Sequence, residues 1–216
     1  DRLGEGVTNA IGTGGRDVSA EVGGTTMLDV IDAMEEDQTV KVLVVISKPP
    51  AKEVADKVAA RLSVCKKPVV CLFLGEKPEY YEEGFYQTYT LDECARLAVS
   101  LVRGQKVEEG TVDCDRSRFF KKEDKKTIKA YYSGGTLAGE SAMLIKEALG
   151  LQDCAHQEGF KLNADGNVVI DLGDDVYTQG KPHPMIDPRT RVECMEEAVD
   201  DPSTGVILFD VVLGYG

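Results

Sequence analysis

Runs of β-branched and aliphatic residues alternate along the chain with segments whose apolar positions recur every three or four residues. Val40-Lys-Val-Leu-Val-Val-Ile-Ser47 is a nearly continuous apolar run, which predicts a parallel strand covered on both faces. Residues 67–75, K-P-V-V-C-L-F-L-G, predict a second strand ended by glycine. Between them, residues 52–62 place Val54, Val58 and Leu62 on one helical face, just after Pro49 and Pro50. Residues 25–36 align Met27, Leu28, Ile31 and Met34 in the same way upstream. Residues 86–90 predict a short strand, and residues 91–102 a helix with Leu91, Ala95, Ala98 and Val102 inward.

Residues 103–126 break this texture: they are charged, poor in apolar periodicity, and read as a linker. The alternation then restarts. Residues 127–133 predict a strand, 134–136 a glycine turn, 137–149 a helix, 168–173 a strand, 190–199 a helix and 205–216 a last strand. The pattern therefore predicts an α/β protein of two parallel-sheet halves, each opening on a strand that runs into glycines. The second half is expected to be incomplete, because no helix follows its last strand. The expected divisions are residues 1–102, a linker over 103–126, and 127–216.

Composition narrows the function classes. The net charge is −13, against a nucleic-acid or anionic-membrane partner, and no run approaches the ~20 apolar residues that span a bilayer. The six cysteines form no C-x-x-C pair and no zinc spacing, so no metal site is expected. Cys65, Cys71, Cys94 and Cys194 fall in apolar patterns and read as reduced core thiols of a cytoplasmic protein. Cys114 and Cys154 complete the set.

Candidate chemistry sits where strands are expected to end. In open parallel sheets, ligands lie beyond the carboxyl ends of strands, where helix N-termini present free amides. Residues 11–17, I-G-T-G-G-R-D, offer Gly12, Gly14 and Gly15 followed by Arg16, a fork suited to phosphate or carboxylate, with Asp17 placed to orient it. The alternative is an ordinary tight turn. The spacing is neither that of a P-loop nor the dinucleotide fingerprint. Ser133, Gly134, Gly135 and Thr136 lead directly into a helix and aim amides and two hydroxyls outward, or simply form a capped turn. The loop 174–191 holds Lys181, His183, Arg189 and Arg191 among Pro182, Pro184 and Pro188. His183 is the candidate catalytic residue, as proton donor, anion ligand or phosphoryl acceptor; the plain reading is a surface loop. His156 lacks such company and reads as structural or exposed, and Gly214 and Gly216 mark another strand end.

Taken together, I-G-T-G-G-R-D-V-S-A-E-V-G-G, V-V-I-S-K-P-P, S-G-G-T-L-A-G-E-S-A and K-P-H-P-M-I-D-P-R-T-R-V-E-C resemble the FdrA family, which is related to succinyl-CoA synthetase. The resemblance covers nearly the whole chain. It implies that both halves are flavodoxin-like, residues 1–102 similar to the second domain of the ligase α subunit and 127–216 to the start of the β subunit's C-terminal domain. It also implies that the two domains face one another across a phosphoryl group. Two departures stand out. The ligase's phosphohistidine segment corresponds to G-E-K-P-E-Y-Y-E-E-G-F, which has no histidine, and the CoA-binding Rossmann domain is expected to be missing ahead of residue 1. The resemblance thus implies a subunit or fragment of an acyl-CoA synthetase-like ligase or a carbamoyltransferase of purine breakdown (oxamate carbamoyltransferase), inactive alone. Phosphate, acyl phosphate or carbamoyl phosphate is the expected ligand, with CoA only if the missing domain is present. Partner subunits or a homo-oligomer are expected. The alternative is a non-catalytic assembly or regulatory subunit.

Overall fold

A computed structural model describes residues 3–79, 81–105, 126–152 and 157–212. The chain divides into two compact units, Asp1–Val112 and Asp113–Gly216. Most of the charged segment, Cys114, Cys154, His156, Gly214 and Gly216 lie outside the described residues.

In the first unit, helix α1 (Thr25–Glu36) leads to strand β1 (Leu43–Ser47), helix α2 (Lys52–Ser63) and strand β2 (Val69–Phe73). A small hairpin follows, β3 (Tyr81–Glu82) and β4 (Phe85–Gln87), and then helix α3 (Leu91–Val102). The sheet order is β1-β2-β4-β3, with β1, β2 and β4 parallel and β3 antiparallel at the edge. Met27 and Ile31 of α1 and Val54, Val58 and Leu62 of α2 pack on Leu43, Val45, Val69 and Phe73 on one face. Cys94 and Leu97 of α3 cover Val70 and Leu72 on the other. Helix α3 begins where its sequence says it should: the Thr90 hydroxyl accepts from the Glu93 amide at 3.2 Å, and the Glu93 carboxylate accepts from the Tyr89 amide at 2.8 Å. Such reciprocal capping satisfies amides that have no partner within the helix.

Strand β2 is buried along its whole length, as a continuous apolar run predicts. Strand β1 is not. Its Leu43, Val45 and Ser47 are buried under α1 and α2 while Val44 and Ile46 are 44% and 47% exposed, because β1 is an edge strand and α3, on the other face, is centred on β2. The expectation of a strand covered on both faces is corrected there. No strand precedes α1 among the described residues, so the first unit opens on a turn rather than the expected strand.

The second unit repeats the layout around strand β5 (Thr127–Tyr132), helix α4 (Gly135–Leu149), strands β6 (Phe160–Ala164) and β7 (Asn167–Asp171), helices α5 (Asp175–Thr178) and α6 (Arg189–Asp200), and strand β8 (Thr204–Phe209). The order is β6-β7-β5-β8, with β7 and β8 parallel to β5. Strand β6, absent from the sequence expectation, pairs antiparallel with β7 across Asp165 and Gly166. Both turn residues have positive φ, 50° and 79°, which an Asp-Gly pair tolerates. Ala138 and Ala142 of α4 pack on Ala130, Tyr132, Leu162 and Val169, and Ala198 of α6 on Tyr131, Ile170 and Leu172. This places the carboxyl ends of β5, β7 and β8 together at one end of the sheet. No described helix is long and apolar enough to cross a membrane.

The cysteines behave as small apolar residues. Cys71 and Cys94 are buried free thiols, and burial raises both above the ordinary thiol value, Cys94 to about 11. Cys65 and Cys194 are free and half-buried.

Candidate functional site

In the first unit, the glycine turn leads to a carboxylate that the chain itself supplies. Asp17 is buried, and its two oxygens accept from the Thr26 and Met27 amides at 2.9 and 2.8 Å. The anion drawn to the N-terminus of α1 is therefore Asp17, a charge-assisted cap. It does not orient Arg16, which is exposed and has no side-chain partner among the described residues. Gly24, the N-cap residue at φ 74°, lets this corner approach α2: a Cβ there would lie 2.8 Å from a Val54 methyl. Gly12 faces open space, and Gly14 sits at φ 82° with its carbonyl accepting from the Asp17 amide. Gly15 lies under Lys48, whose Nζ would be 2.6 Å from a Cβ at that position. Lys48 follows the last residue of β1 and is a cation that the sequence expectation missed. The backbone amides of residues 12–16 have no hydrogen-bond partner among the described residues.

In the second unit, strand ends and helix starts assemble two adjacent clusters. The first is closed. Asp210, just past β8, accepts from the Ser133 amide through both carboxylate oxygens, at 3.1 and 3.0 Å, and from the Ser133 hydroxyl at 3.1 Å. Arg191 of α6 donates to Asp210 Oδ1 at 2.7 Å, to the Asp210 carbonyl at 2.9 Å and to the Ser133 hydroxyl at 2.8 Å. The Arg191–Asp210 ion pair is largely buried, with side chains 15% and 10% exposed. Ser133 and Arg191, both candidate phosphate ligands, thus meet at one point, and Asp210 occupies it as an internal anion.

The second cluster keeps free donors. Gly134 is the N-cap of α4 and carries no side-chain cap, so the amides of Gly134, Gly135, Thr136 and Leu137 have no partner among the described residues. Gly173 lies beside it. A Cβ at Gly173 would fall 2.6 Å from the Ser133 carbonyl oxygen, 2.7 Å from His183 Nε2 and 3.2 Å from Asp171 Oδ1, so only glycine fits where these atoms converge. His183 is held by its own loop. Its Nδ1 accepts from the Met185 amide at 3.2 Å, and its carbonyl accepts from Ile186 and Asp187. An Nδ1 that accepts leaves the ring proton on Nε2, so this face of His183 is a donor, not a nucleophile.

Asp171 is the carboxylate of this cluster. It is buried, accepts from the Gly173 amide at 3.0 Å, and its Oδ2 would lie 2.8 Å from a Cβ at Gly135. Burial pushes its carboxyl above the ordinary value, with the Gly173 amide and Lys161 acting in the opposite sense. Lys161 reaches across from β6 to 3.8 Å from Asp171 and 3.7 Å from Asp174. Thr136 is exposed on the first turn of α4. Lys181 is exposed without a side-chain partner among the described residues. Arg189 is paired with its neighbour Asp187, donating through Nε at 2.8 and 3.0 Å, so its charge is locally answered.

Asp171, Asp210 and Lys161 escape sequence reasoning because single carboxylates and lysines are common in this chain, with 38 Asp and Glu residues. The available signal was positional: Asp171 and Asp210 each interrupt an apolar run.

Comparison with known proteins bears on both units. Residues 1–75 match the CoA-binding domain family and residues 131–216 the CoA-ligase family. The expectation that a CoA-binding domain is missing is thereby corrected: the match lies within the chain itself. The chain is 38% identical over 229 positions to the uncharacterized protein YahF of Escherichia coli (strain K12), covering 99% of this chain and 44% of that relative. It spans less than half the length of the relative it matches. The two matches together give the chain CoA-binding and CoA-ligase domains of the kind found in succinyl-CoA synthetase.

Proposed function

We propose that the chain is a component of an acyl-CoA synthetase-like ligase, in which the second unit binds the anionic oxygens of an acyl phosphate. One observation carries this reading. The uncapped amino end of α4 and the unclaimed Nε2–H of His183 lie beside the same glycine, Gly173, in a domain of the CoA-ligase family. Amides at a helix start stabilise negative charge, and a positioned imidazole N–H adds a directed donor. The residues do three things: the Gly134–Leu137 amides receive phosphoryl oxygens, His183 donates from Nε2, and Asp171 with Lys161 shapes the floor. Bound CoA would supply the thiol that takes the acyl group. A carbamoyl phosphate, as in the FdrA resemblance, is the same class of ligand with an amino group on the acyl carbon.

Calorimetric titration with acetyl phosphate tests this. Wild type is expected to bind, and His183→Ala to bind at least tenfold more weakly. A non-catalytic assembly role is the second reading. It is favoured by the two internal carboxylates, Asp17 and Asp210, which already hold the α1 amides and the Ser133–Arg191 pair. Failure of wild type to bind acetyl phosphate selects it.

A further inference from the structure

We propose that Asp171 makes the seat at the start of α4 hold its oxyanion through one shared proton, which selects hydrogen phosphate over a proton-free oxyanion of the same charge, such as sulfate. The proposal rests on the reading of the second unit as a phosphoryl-binding domain and names what that site discriminates.

Three observations converge. The first is placement. Asp171 is buried, and its carboxylate is turned to the first residue of α4, where a Cβ on Gly135 would lie 2.8 Å from Oδ2. The Gly135 amide is one of the free donors, so an oxygen it receives is brought beside that carboxylate. The second is spare acceptor capacity. Oδ1 accepts from the Gly173 amide at 3.0 Å, whereas Oδ2 accepts no hydrogen bond among the described residues and meets Lys161 only at 3.8 Å. Asp171 is therefore not a cap of α4. The third is the charge around it. The groups that face Asp171 are Lys161 from β6, Asp174 ahead of α5, and His183 from its loop. The Tyr132 hydroxyl of β5 is taken by Ser141 at 2.6 Å, and residues 135–137 of α4 carry no charge. Lys161 is shared between Asp171 and Asp174, at 3.8 and 3.7 Å, so two carboxylates meet one cation.

A dianion seated on the α4 amides thus lies against a carboxylate whose counter-charge is already divided. Like charges this close in a partly buried site do not both stay ionised. One proton between Oδ2 and the ligand turns the repulsion into a charge-assisted O–H···O bond. Burial, which raises Asp171, acts in the same direction. Hydrogen phosphate brings the proton on its own P–OH and donates it to Oδ2. Sulfate has the same charge and no proton, so one must be drawn from solvent onto Asp171 before the two oxygens can meet. An acyl phosphate, ionised at neutral pH, likewise binds with uptake of one proton. The amides and His183 Nε2–H are all donors; Asp171 is the acceptor that reads the proton.

The test is calorimetric titration of inorganic phosphate and of sulfate, at equal ionic strength, into wild type and Asp171→Asn. Wild type is expected to bind phosphate roughly tenfold or more tightly than sulfate, because sulfate leaves a buried acceptor unmet. Asp171→Asn keeps an oxygen for the Gly173 amide and offers an N–H in place of Oδ2, and should bring the two anions within about twofold of each other. Acetyl phosphate, titrated in two buffers of different ionisation enthalpy, should take up close to one proton in wild type and none in Asp171→Asn. Its wild-type affinity should rise about tenfold per unit fall in pH around neutrality, the figure for one proton. The inference is overturned, with the phosphoryl seat left standing, if wild type binds sulfate as tightly as phosphate, a comparison that needs no variant. It is overturned in the same way if Asp171→Asn keeps the preference or the proton uptake, which would put the proton on His183. If wild type binds none of the three anions, the reading of the second unit falls and this inference with it.

Discussion

The two units solve the same problem, the exposed amides at the start of a helix, in opposite ways. In the first, Asp17 is buried under α1 and both its oxygens are taken by Thr26 and Met27. In the second, Gly134 leads α4 with no cap, and its first-turn amides remain free. Both helices follow glycine-rich sequence, and their strands share the parallel arrangement. The difference teaches that a glycine turn before a helix is not in itself an anion site. What decides is whether the chain brings its own carboxylate to the amides. In the first unit the glycines allow that carboxylate in and bring α1 onto α2; in the second they leave the amides to solvent beside His183.

The arginines draw the same contrast and give the largest expected effect. Arg191→Met leaves Asp210 buried against Ser133 without its cation, and should destabilise the second unit by about 3 kcal/mol, read by urea unfolding. Arg16→Ala in the first unit should change stability by less than ~0.5 kcal/mol, since its side chain is exposed and partnerless. Equal effects would break the distinction between an arginine that holds the fold and one left to solvent.

Next in size is the cap itself. Asp17→Ala should cost about 1–2 kcal/mol by unpairing two amides of α1. The reverse change, Gly134→Asp, should stabilise the second unit by a few tenths to ~1 kcal/mol, because Gly134 has extended φ and ψ and nothing lies near its Cβ position. The same substitution should suppress acetyl phosphate binding, because the new carboxylate takes the amides. Stabilisation with unchanged binding would separate the helix start from the site.

The smallest effect concerns acid. Glu35 accepts from the Lys66 amide and from Arg61, which hold its carboxyl well down, at about 2. A lowered carboxylate contributes stability above its ordinary value of 4.5, and loses it as pH falls towards 2. Glu35→Gln should therefore flatten the acid limb of the first unit's stability between those values, the variant being the less stable near neutrality and converging on wild type as pH falls towards 2. Asp201 in the second unit, held down by Ser203 and Lys129, is lowered to about 2 and should behave alike.

Much of the architecture was legible in the sequence. Residues 52–62 and 91–102 give helices almost to the residue, and Val54, Val58 and Leu62 give the buried face of the first, but the expected face of the second is turned: Cys94 and Leu97 are buried, whereas Ala95, expected inward, is exposed. Strand β6 was not seen: F-K-L-N-A is short and half polar, and its partner is declared only by the Asp165-Gly166 turn. The exposed face of β1 was also illegible, since an apolar run records the strand's propensity but not its neighbours. For the site, Ser133, Gly134, Gly135, His183 and Arg191 were picked from turn chemistry, and the structure brings them to one end of a sheet. Which of their donors are already taken depends on Asp210 and Asp171, and contacts between distant strand ends leave no local pattern.

Backbone amide NMR on the uniformly labelled chain, titrated with acetyl phosphate, bears most directly on the idea that α4 starts bare in order to meet negative oxygen. The account predicts that the Gly135 and Thr136 amide signals move with saturation in wild type, while those of Thr26 and Met27 stay fixed, and that His183→Ala weakens the response. Shifts at Thr26 and Met27 instead, or still signals at Gly135 and Thr136 throughout the titration, would contradict it.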